Sequence, residues 1–142
     1  LLVEEIEYLQ SYIRVENTRM NNAIEVNFEL DPKIDTYDVE VPTMILQTFV
    51  ENVFVHAFTV KSIDPKLHII FEKLDEHALC CKIIDNGSGF TATGKNRLHN
   101  SKGLSLVKER LALLDYDIED ALNIESEPGK GTMVSLKLSL QR

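Results

Sequence analysis

The chain has 142 residues, enough for one domain with a hydrophobic core, and a formal net charge of −8. This negative charge argues against nucleic acid or an anionic membrane surface as a partner, because both attract basic proteins. No apolar run approaches the ~20 residues that a membrane span requires, and no signal peptide is evident.

The first half of the chain is predicted to contain two helices and one or two strands. Apolar residues have helical spacing over residues 1–22, and the chain opens within this pattern without an initiator methionine, so we expect a fragment of a longer protein. Alternation predicts a strand at 24–30, and residues 37–41 are expected to form a short edge strand. Pro42 favours a helix over residues 43–58, because its missing N–H is least harmful at a helix start.

The second half of the chain is predicted to form two hairpins separated by a polar loop and a helix. In chain order these are strands 67–74 and 78–85, loop 91–102, helix 104–114, and strands 122–126 and 132–140. The whole order predicts one domain over residues 1–142 with an α/β fold, a two-layer sandwich of a mixed β-sheet with helices packed on one face.

Four short motifs carry residues suited to ligand binding. Asn52 lies on the predicted helix at 43–58, and DNGSGF (85–90) follows an apolar strand. SKGL (101–104) begins the next helix, and EPGKGT (127–132) joins the last two strands. Each motif alone is weak, because a GxG pair is usually only a turn. Their order and spacing together are far more specific.

Together, the four motifs resemble those of the GHKL (Bergerat-fold) ATP-binding family, which includes gyrases, Hsp90, MutL and the histidine kinases. Asn52 corresponds to the N box, DNGSGF to the G1 box, SKGL to the G2 box and EPGKGT to the G3 box. Within the family, the sequence is most similar to sensor histidine kinases related to LytS and YehU. The stretches that carry this similarity are IEYLQSYIRVENTRM, PTMILQTFVENVFVHAF, GLSLVKERLALL and IESEPGKGTMVSLKL.

The resemblance implies a pocket for the adenine of ATP. Asp85 would accept a hydrogen bond from the adenine amino group, since a carboxylate is an acceptor only. Gly87 and Gly89 would let the backbone pass close to the base, and Phe90 would cover the turn. Thr132 could form a hydrogen bond near the adenine.

The resemblance also implies a magnesium and phosphate site. The amide oxygen of Asn52 would be a ligand of Mg²⁺, a hard cation that prefers oxygen. Gly103 would let the phosphates approach a helix N-terminus, where free N–H groups favour anions. Residues 91–102 would be the lid over the nucleotide. The SKGL motif and the N-box helix add further expected nucleotide-binding residues: His56, Ser101 and Leu104.

The sequence departs from the family pattern on the phosphate side. Val55 stands where these kinases usually have a Lys, Ser101 and Leu106 replace a Gly and an Asn of the G2 box, and Thr48 replaces a Pro. Losing a cation and a glycine should weaken phosphate binding. The residues that could compensate are His56, Lys95, Arg97 and Lys102.

Two side chains near the N box have alternative interpretations. His56 could bind phosphate or simply pack in a partly buried position. Glu51 could act as a base, as an adjacent carboxylate does in some relatives, or be a solvated helix residue, since neighbouring positions do not share a helix face.

The leading functional expectation is the catalytic domain of a sensor histidine kinase that binds ATP and Mg²⁺ and transfers the γ-phosphate to a histidine. That histidine would lie upstream of residues 1–22 in a dimerisation domain, and the phosphoryl group would pass to a response regulator. The parent is expected to be a homodimer and an integral inner-membrane sensor, with this domain in the cytoplasm. Two alternatives remain, a degenerate docking module without catalysis and an anti-sigma-factor-type serine kinase.

Overall fold

The computed structural model describes residues 1–42, 45–54, 58, 64–87 and 102–140. Helices and strands alternate along these ranges, and their bounds follow in chain order. They are α1 Leu2–Arg19, β1 Glu25–Leu30, α2 Ile45–Asn52, β2 Lys66–Lys73, β3 Ala78–Asp85, α3 Lys102–Leu113, α4 Ile118–Ala121, β4 Leu122–Glu127 and β5 Gly131–Ser139. None of the helices in these ranges is long and apolar enough to cross a membrane.

The strands form one five-stranded sheet in the order β1-β2-β3-β5-β4. The pair β1 and β2 is parallel, whereas β2–β3, β3–β5 and β4–β5 are antiparallel. The hairpin strands alternate apolar and polar residues, as expected for a sheet with one covered face. The mixed sheet confirms the predicted α/β architecture.

One face of the sheet supplies the core. Every second residue of β3 is buried, among them Leu79, Cys81 and Ile83, and α1, α2 and α3 bury apolar residues on the same side of the sheet. The intervening residues of β3, such as Cys80 and Lys82, are only half-buried. The helices therefore lie on one face, as the predicted sandwich requires.

Residues 37–41 do not form the predicted strand, since β pairing there is limited to a single bridge at Glu40. The segment turns at Asp35, whose side chain accepts a hydrogen bond from the Tyr37 amide at 3.0 Å. Thr36 and Val39 instead point their carbonyls at the start of α1, where they accept from the amides of Val3 and Leu2 at 3.0 and 2.8 Å. The first amides of a helix have no partner within the helix, so this segment satisfies two of them and is used as a cap.

The short helix α4 has no counterpart among the predicted elements. Asp117 begins it, because its side chain accepts a hydrogen bond from the Glu119 amide at 3.2 Å. A helix of four residues carries too little apolar periodicity to be recognised from its pattern.

Candidate functional site

A row of polar side chains crosses the covered face at one end of the sheet. Strand register aligns Leu67 with Asp85, Asp85 with Thr132, and Thr132 with Ser126. Paired residues on neighbouring strands point to the same face, so three polar side chains lie side by side at the rim of an otherwise apolar core.

Asp85 is the buried charged group of this row, with a side chain only 6% exposed. Its Oδ1 accepts a hydrogen bond from the Gly87 amide at 2.8 Å, and the Thr132 amide also donates to the carboxylate. Burial raises the pKa of Asp85 to about 6, because it disfavours the charged form, while the two amides act in the opposite direction. Its strand neighbours Cys81 and Ile83 lie on the same face and are 1% and 2% exposed.

The turn after Asp85 is held by Asn86, a residue that the sequence interpretation passed over. Its Oδ1 accepts from the Lys66 amide at 2.6 Å, and its Nδ2 donates to the Asp64 carbonyl at 2.9 Å. Asn86 therefore ties the end of β3 to the start of β2. The signal in the sequence is the Asp-Asn-Gly order itself, since Asn side chains often bond to backbone in turns.

Gly131 explains why the last hairpin approaches the site so closely. Its φ is +120°, and a Cβ atom placed there would lie 2.0 Å from the Asp85 carbonyl oxygen. No other residue type can occupy this position without moving backbone. Gly129, with φ +79°, has open space around it and serves the turn alone.

Ser126 is the second residue that the sequence interpretation missed. Its hydroxyl donates to the Gly131 carbonyl at 3.0 Å and lies 2.8 Å from the hydroxyl of Thr132. Only the register of β4 against β5 places Ser126 beside Thr132. That register could be inferred from the short turn that joins the two strands.

Asn52 is the last residue of α2 and is half-buried. Its Nδ2 atom is buried and finds no hydrogen-bond partner in the part of the chain that the structure describes. Directly after it, Val53 and Phe54 form a wider π-helical turn, and the Phe58 amide donates to the Val53 carbonyl at 3.1 Å. Single π turns within α-helices are frequent at functional sites.

The carboxylate of Glu51 has a partner on its own helix. Its Oε1 accepts a hydrogen bond from Gln47 Nε2, one turn earlier, at 2.5 Å. The Tyr12 ring of α1 packs edge-on against Phe54, with ring centroids 6.0 Å apart. Burial, together with the negative charges of Glu16 and Glu51, raises the pKa of Tyr12 to about 12. Glu51 thus lies at the junction of α1 with α2.

The start of α3 coincides with the SKGL motif. The helix begins at Lys102, Gly103 is its second residue, and Leu104 is fully buried. α2 and α3 pack against each other. Leu106, at the position of the family's Asn, is 58% exposed.

Several expected site residues lie outside the described ranges. They are Val55, His56, Gly89, Phe90 and Ser101, together with residues 91–101 of the expected lid, which include Lys95 and Arg97. Of the expected nucleotide-binding residues within those ranges, Gly87 and Thr132 both contact Asp85, while Asn52, Gly103 and Leu104 lie on α2 and α3.

Residues 37–142 match a family model described as histidine kinase-, DNA gyrase B- and HSP90-like ATPase. The chain belongs to this family. The chain is 30% identical over 141 residues to the uncharacterised protein YwpD of Bacillus subtilis, covering 96% of this chain and 49% of YwpD. It is 29% identical to the sensor protein LytS of the same organism, covering 99% of this chain and 25% of LytS.

The fold of the chain also has solved counterparts. The histidine kinase domain of a blue-light activated histidine kinase from Erythrobacter litoralis superposes with a TM-score of 0.69 at 20% identity. The match covers 94% of this chain and 60% of that one. The chain spans about half or less of the curated relatives it matches, 49% of YwpD and 25% of LytS.

Proposed function

We propose that this chain is the ATP-binding catalytic domain of a sensor histidine kinase, which binds Mg-ATP and transfers the γ-phosphate to a histidine of an upstream dimerisation domain. The observation that carries the proposal is Asp85, a carboxylate buried at a strand end beside a glycine turn. A buried charge needs hydrogen-bond donors, and two backbone amides supply only part of its accepting capacity. A ligand that brings an amino group would complete it.

The adenine of ATP fits this end of the sheet, which we call the base end and define as Asp85, Gly87, Ser126, Gly131 and Thr132. The exocyclic amino group would donate to Asp85. The ring would lie at the rim of the apolar core to which Cys81 and Ile83, on the same face of β3, belong.

The other end of the proposed site, the phosphate end, consists of Asn52 and the first residues of α3. Asn52 has a buried amide atom that pairs with no residue in the described ranges, and turning the amide by 180° exchanges its nitrogen and oxygen. The unpaired end can therefore present an oxygen to a cation, which suits Mg²⁺. Bound Mg²⁺ would neutralise phosphate charge, which matters in a chain of net charge −8.

Phosphate oxygens would lie near the start of α3. The first amides of a helix favour anions, and Gly103 places no side chain in their way. Phosphoryl transfer depends mainly on positioning and charge neutralisation, so the domain itself does not have to provide a base.

The acceptor histidine is proposed to lie outside this chain. His68 is on β2, and its register with Ile84 places it on the face opposite Asp85, 3.1 Å from Glu29. His77 is exposed in the turn between β2 and β3. Neither lies on the face that would hold ATP. The parent would be a homodimeric, membrane-anchored sensor that passes the phosphoryl group to a response regulator.

The proposal is tested by incubating the 142-residue chain with γ-labelled ATP and Mg²⁺, alone and with a dimerisation domain from its own parent. We expect no label on the chain alone and acid-labile label on the dimerisation domain. Acid-labile label on His56, His68, His77 or His99 of the isolated chain would contradict the upstream acceptor. Acid-stable label on a serine of a partner would instead indicate a serine kinase.

A second candidate function is a docking module without catalysis. Leu106 favours it, because an apolar side chain that is 58% exposed on α3 replaces the family's Asn. ATP that binds without any transfer to the dimerisation domain would support this second function over the first.

A further inference from the structure

Ser126 and Thr132 form a directed chain of hydrogen bonds beside Asp85. A serine hydroxyl has a single hydrogen, and Ser126 directs it to the Gly131 carbonyl at 3.0 Å. The 2.8 Å contact between the two hydroxyls then takes its hydrogen from Thr132. Thr132 is consequently the donor to Ser126, and its oxygen is left with lone pairs only.

The carbonyl at the end of this chain has a fixed position. Gly131 has φ +120° and lies against the backbone of Asp85 and Asn86, so close that a Cβ atom would meet the Asp85 carbonyl oxygen at 2.0 Å. Because neither backbone can shift easily, the direction of the Ser126 hydrogen bond is fixed by the fold and persists when a ligand binds.

We propose that Ser126 is a specificity-determining residue, which holds the Thr132 hydroxyl as an acceptor so that the site selects a 6-amino purine over a 6-oxo purine. The inference rests on the proposed binding of nucleotide at Asp85. Strand register pairs Asp85 with Thr132, so two acceptors stand next to each other. A 6-amino group has two hydrogens and can donate one to each.

A 6-oxo purine meets the opposite situation. Its 6-oxygen accepts hydrogen bonds and would face the carboxylate of Asp85 and the lone pairs of Thr132 where the amino group of adenine would donate to both. The hydrogen that a 6-oxo purine carries on N1 lies one ring position away and can serve only one of the two acceptors. Without Ser126, the Thr132 hydroxyl could turn and donate to that oxygen. Ser126 acts through Thr132 and contacts no base itself, so it is a positioning residue.

The test compares the binding of ATP and of inosine triphosphate, its 6-oxo analogue, by calorimetric titration. Replacing Ser126→Ala should reduce the preference for ATP about tenfold, the size of one neutral hydrogen bond, chiefly because inosine triphosphate binds better. Ser126→Thr keeps a hydroxyl and should keep the wild-type preference. Ser135→Ala, on the opposite face of β5, is the matched control and should change nothing.

A double-mutant cycle separates positioning from a structural effect. In a Thr132→Val background, which has no hydroxyl to orient, Ser126→Ala should have no further effect on the ratio of the two affinities. Two results would overturn the inference. One is an equal loss of affinity for both nucleotides in Ser126→Ala, and the other is an undiminished effect of Ser126→Ala on the ratio of affinities in the Thr132→Val background. Wild-type protein that binds neither nucleotide would overturn the proposed function itself.

The wild-type protein provides a readout that requires no variant. ATP methylated on its 6-amino group has one donor hydrogen in place of two, and we expect it to bind about tenfold more weakly than ATP. Equal binding of the two would show that only one acceptor contacts the amino group, contrary to the proposed pairing of Asp85 with Thr132.

Discussion

The two ends of the proposed site are built from different kinds of structure. The base end lies on three adjacent strands, and the side-chain oxygens of Asp85, Thr132 and Ser126 take part in its hydrogen bonds. The phosphate end lies on two helices, with an amide atom on Asn52 that has no partner among the described residues and a π turn directly after it. Strand register thus organises the base end in advance, whereas the phosphate end retains a polar atom that pairs with none of the described residues.

The largest effect should come from disturbing the base end through Gly131. Gly131→Ala combines a strained φ of +120° with a Cβ atom 2.0 Å from the Asp85 carbonyl oxygen, so we expect a loss of at least about 3 kcal/mol in the free energy of unfolding. Urea denaturation measures it. Gly129→Ala is the control, because its φ is +79° but nothing lies within 4 Å of the added Cβ atom. There we expect a loss of about 1–2 kcal/mol in the free energy of unfolding. Similar losses in both would mean that close approach to Asp85 is unimportant.

A second effect should appear in the pH dependence of stability. The folded-state pKa of Asp85, about 6, lies above the ordinary aspartate value of 3.8, so the folded protein binds more protons between these values. The free energy of unfolding should therefore fall by on the order of 3 kcal/mol, relative to that of Asp85→Asn, as the pH rises from about 4 to about 6. Above about pH 6 it should level off. Urea denaturation of both proteins across this range measures it. Parallel pH profiles would show that burial does not shift this carboxyl.

Asp85→Asn also tests the base end by ligand binding. The substitution removes the charge and offers the amino group a donor as readily as an acceptor, so ATP and adenosine should both lose at least about 1.5 kcal/mol of binding free energy. Calorimetric titration gives both values. The control Asp120→Asn changes an exposed carboxylate on α4 and should leave both affinities intact. Unchanged affinity in Asp85→Asn would remove Asp85 from the site.

The smallest effect is expected at the phosphate end. Asn52→Ala should abolish the Mg²⁺ dependence of ATP binding and should reduce the binding free energy of ATP by about 1 kcal/mol. Adenosine has no phosphates and should bind as it does to the wild-type protein. Titrations with and without Mg²⁺ measure both. Asn27→Ala, an exposed amide on β1, is the control. If Asn52→Ala retained the wild-type Mg²⁺ dependence, Asn52 would not be a ligand of the cation.

The sequence predicted regular strands better than the segments between them. β3 occupies 78–85 as predicted, because CCKII alternates between a covered and an open face. The strand predicted at residues 37–41 was wrong. Its β propensity is overridden by the turn at Asp35 and by the hydrogen bonds with which Thr36 and Val39 cap two amides of α1. Capping by a distant segment depends on tertiary contact, which local pattern does not contain.

The site shows the same limit. Asp85, Gly87 and Thr132 were predicted from motifs, and the structure places Gly87 and Thr132 each in contact with Asp85. Their roles in binding stay predictions. Asn86 and Ser126 were missed because their partners, Lys66 and Thr132, lie on neighbouring strands. Which residues face each other across a sheet is fixed by register, and a motif read along one strand does not reveal it.

The two outer strands of the sheet, β1 and β4, also bear on self-association. An outer strand has unpaired backbone groups that can join a second copy of the chain, and charged residues there oppose such pairing. The exposed positions of β1 include Glu25 and Glu29, and those of β4 include Glu125 and Glu127. Two copies meeting edge to edge would bring these carboxylates together. Because β1 and β4 are the outer strands in the order β1-β2-β3-β5-β4, their negative charge opposes extension of the sheet into a neighbouring copy.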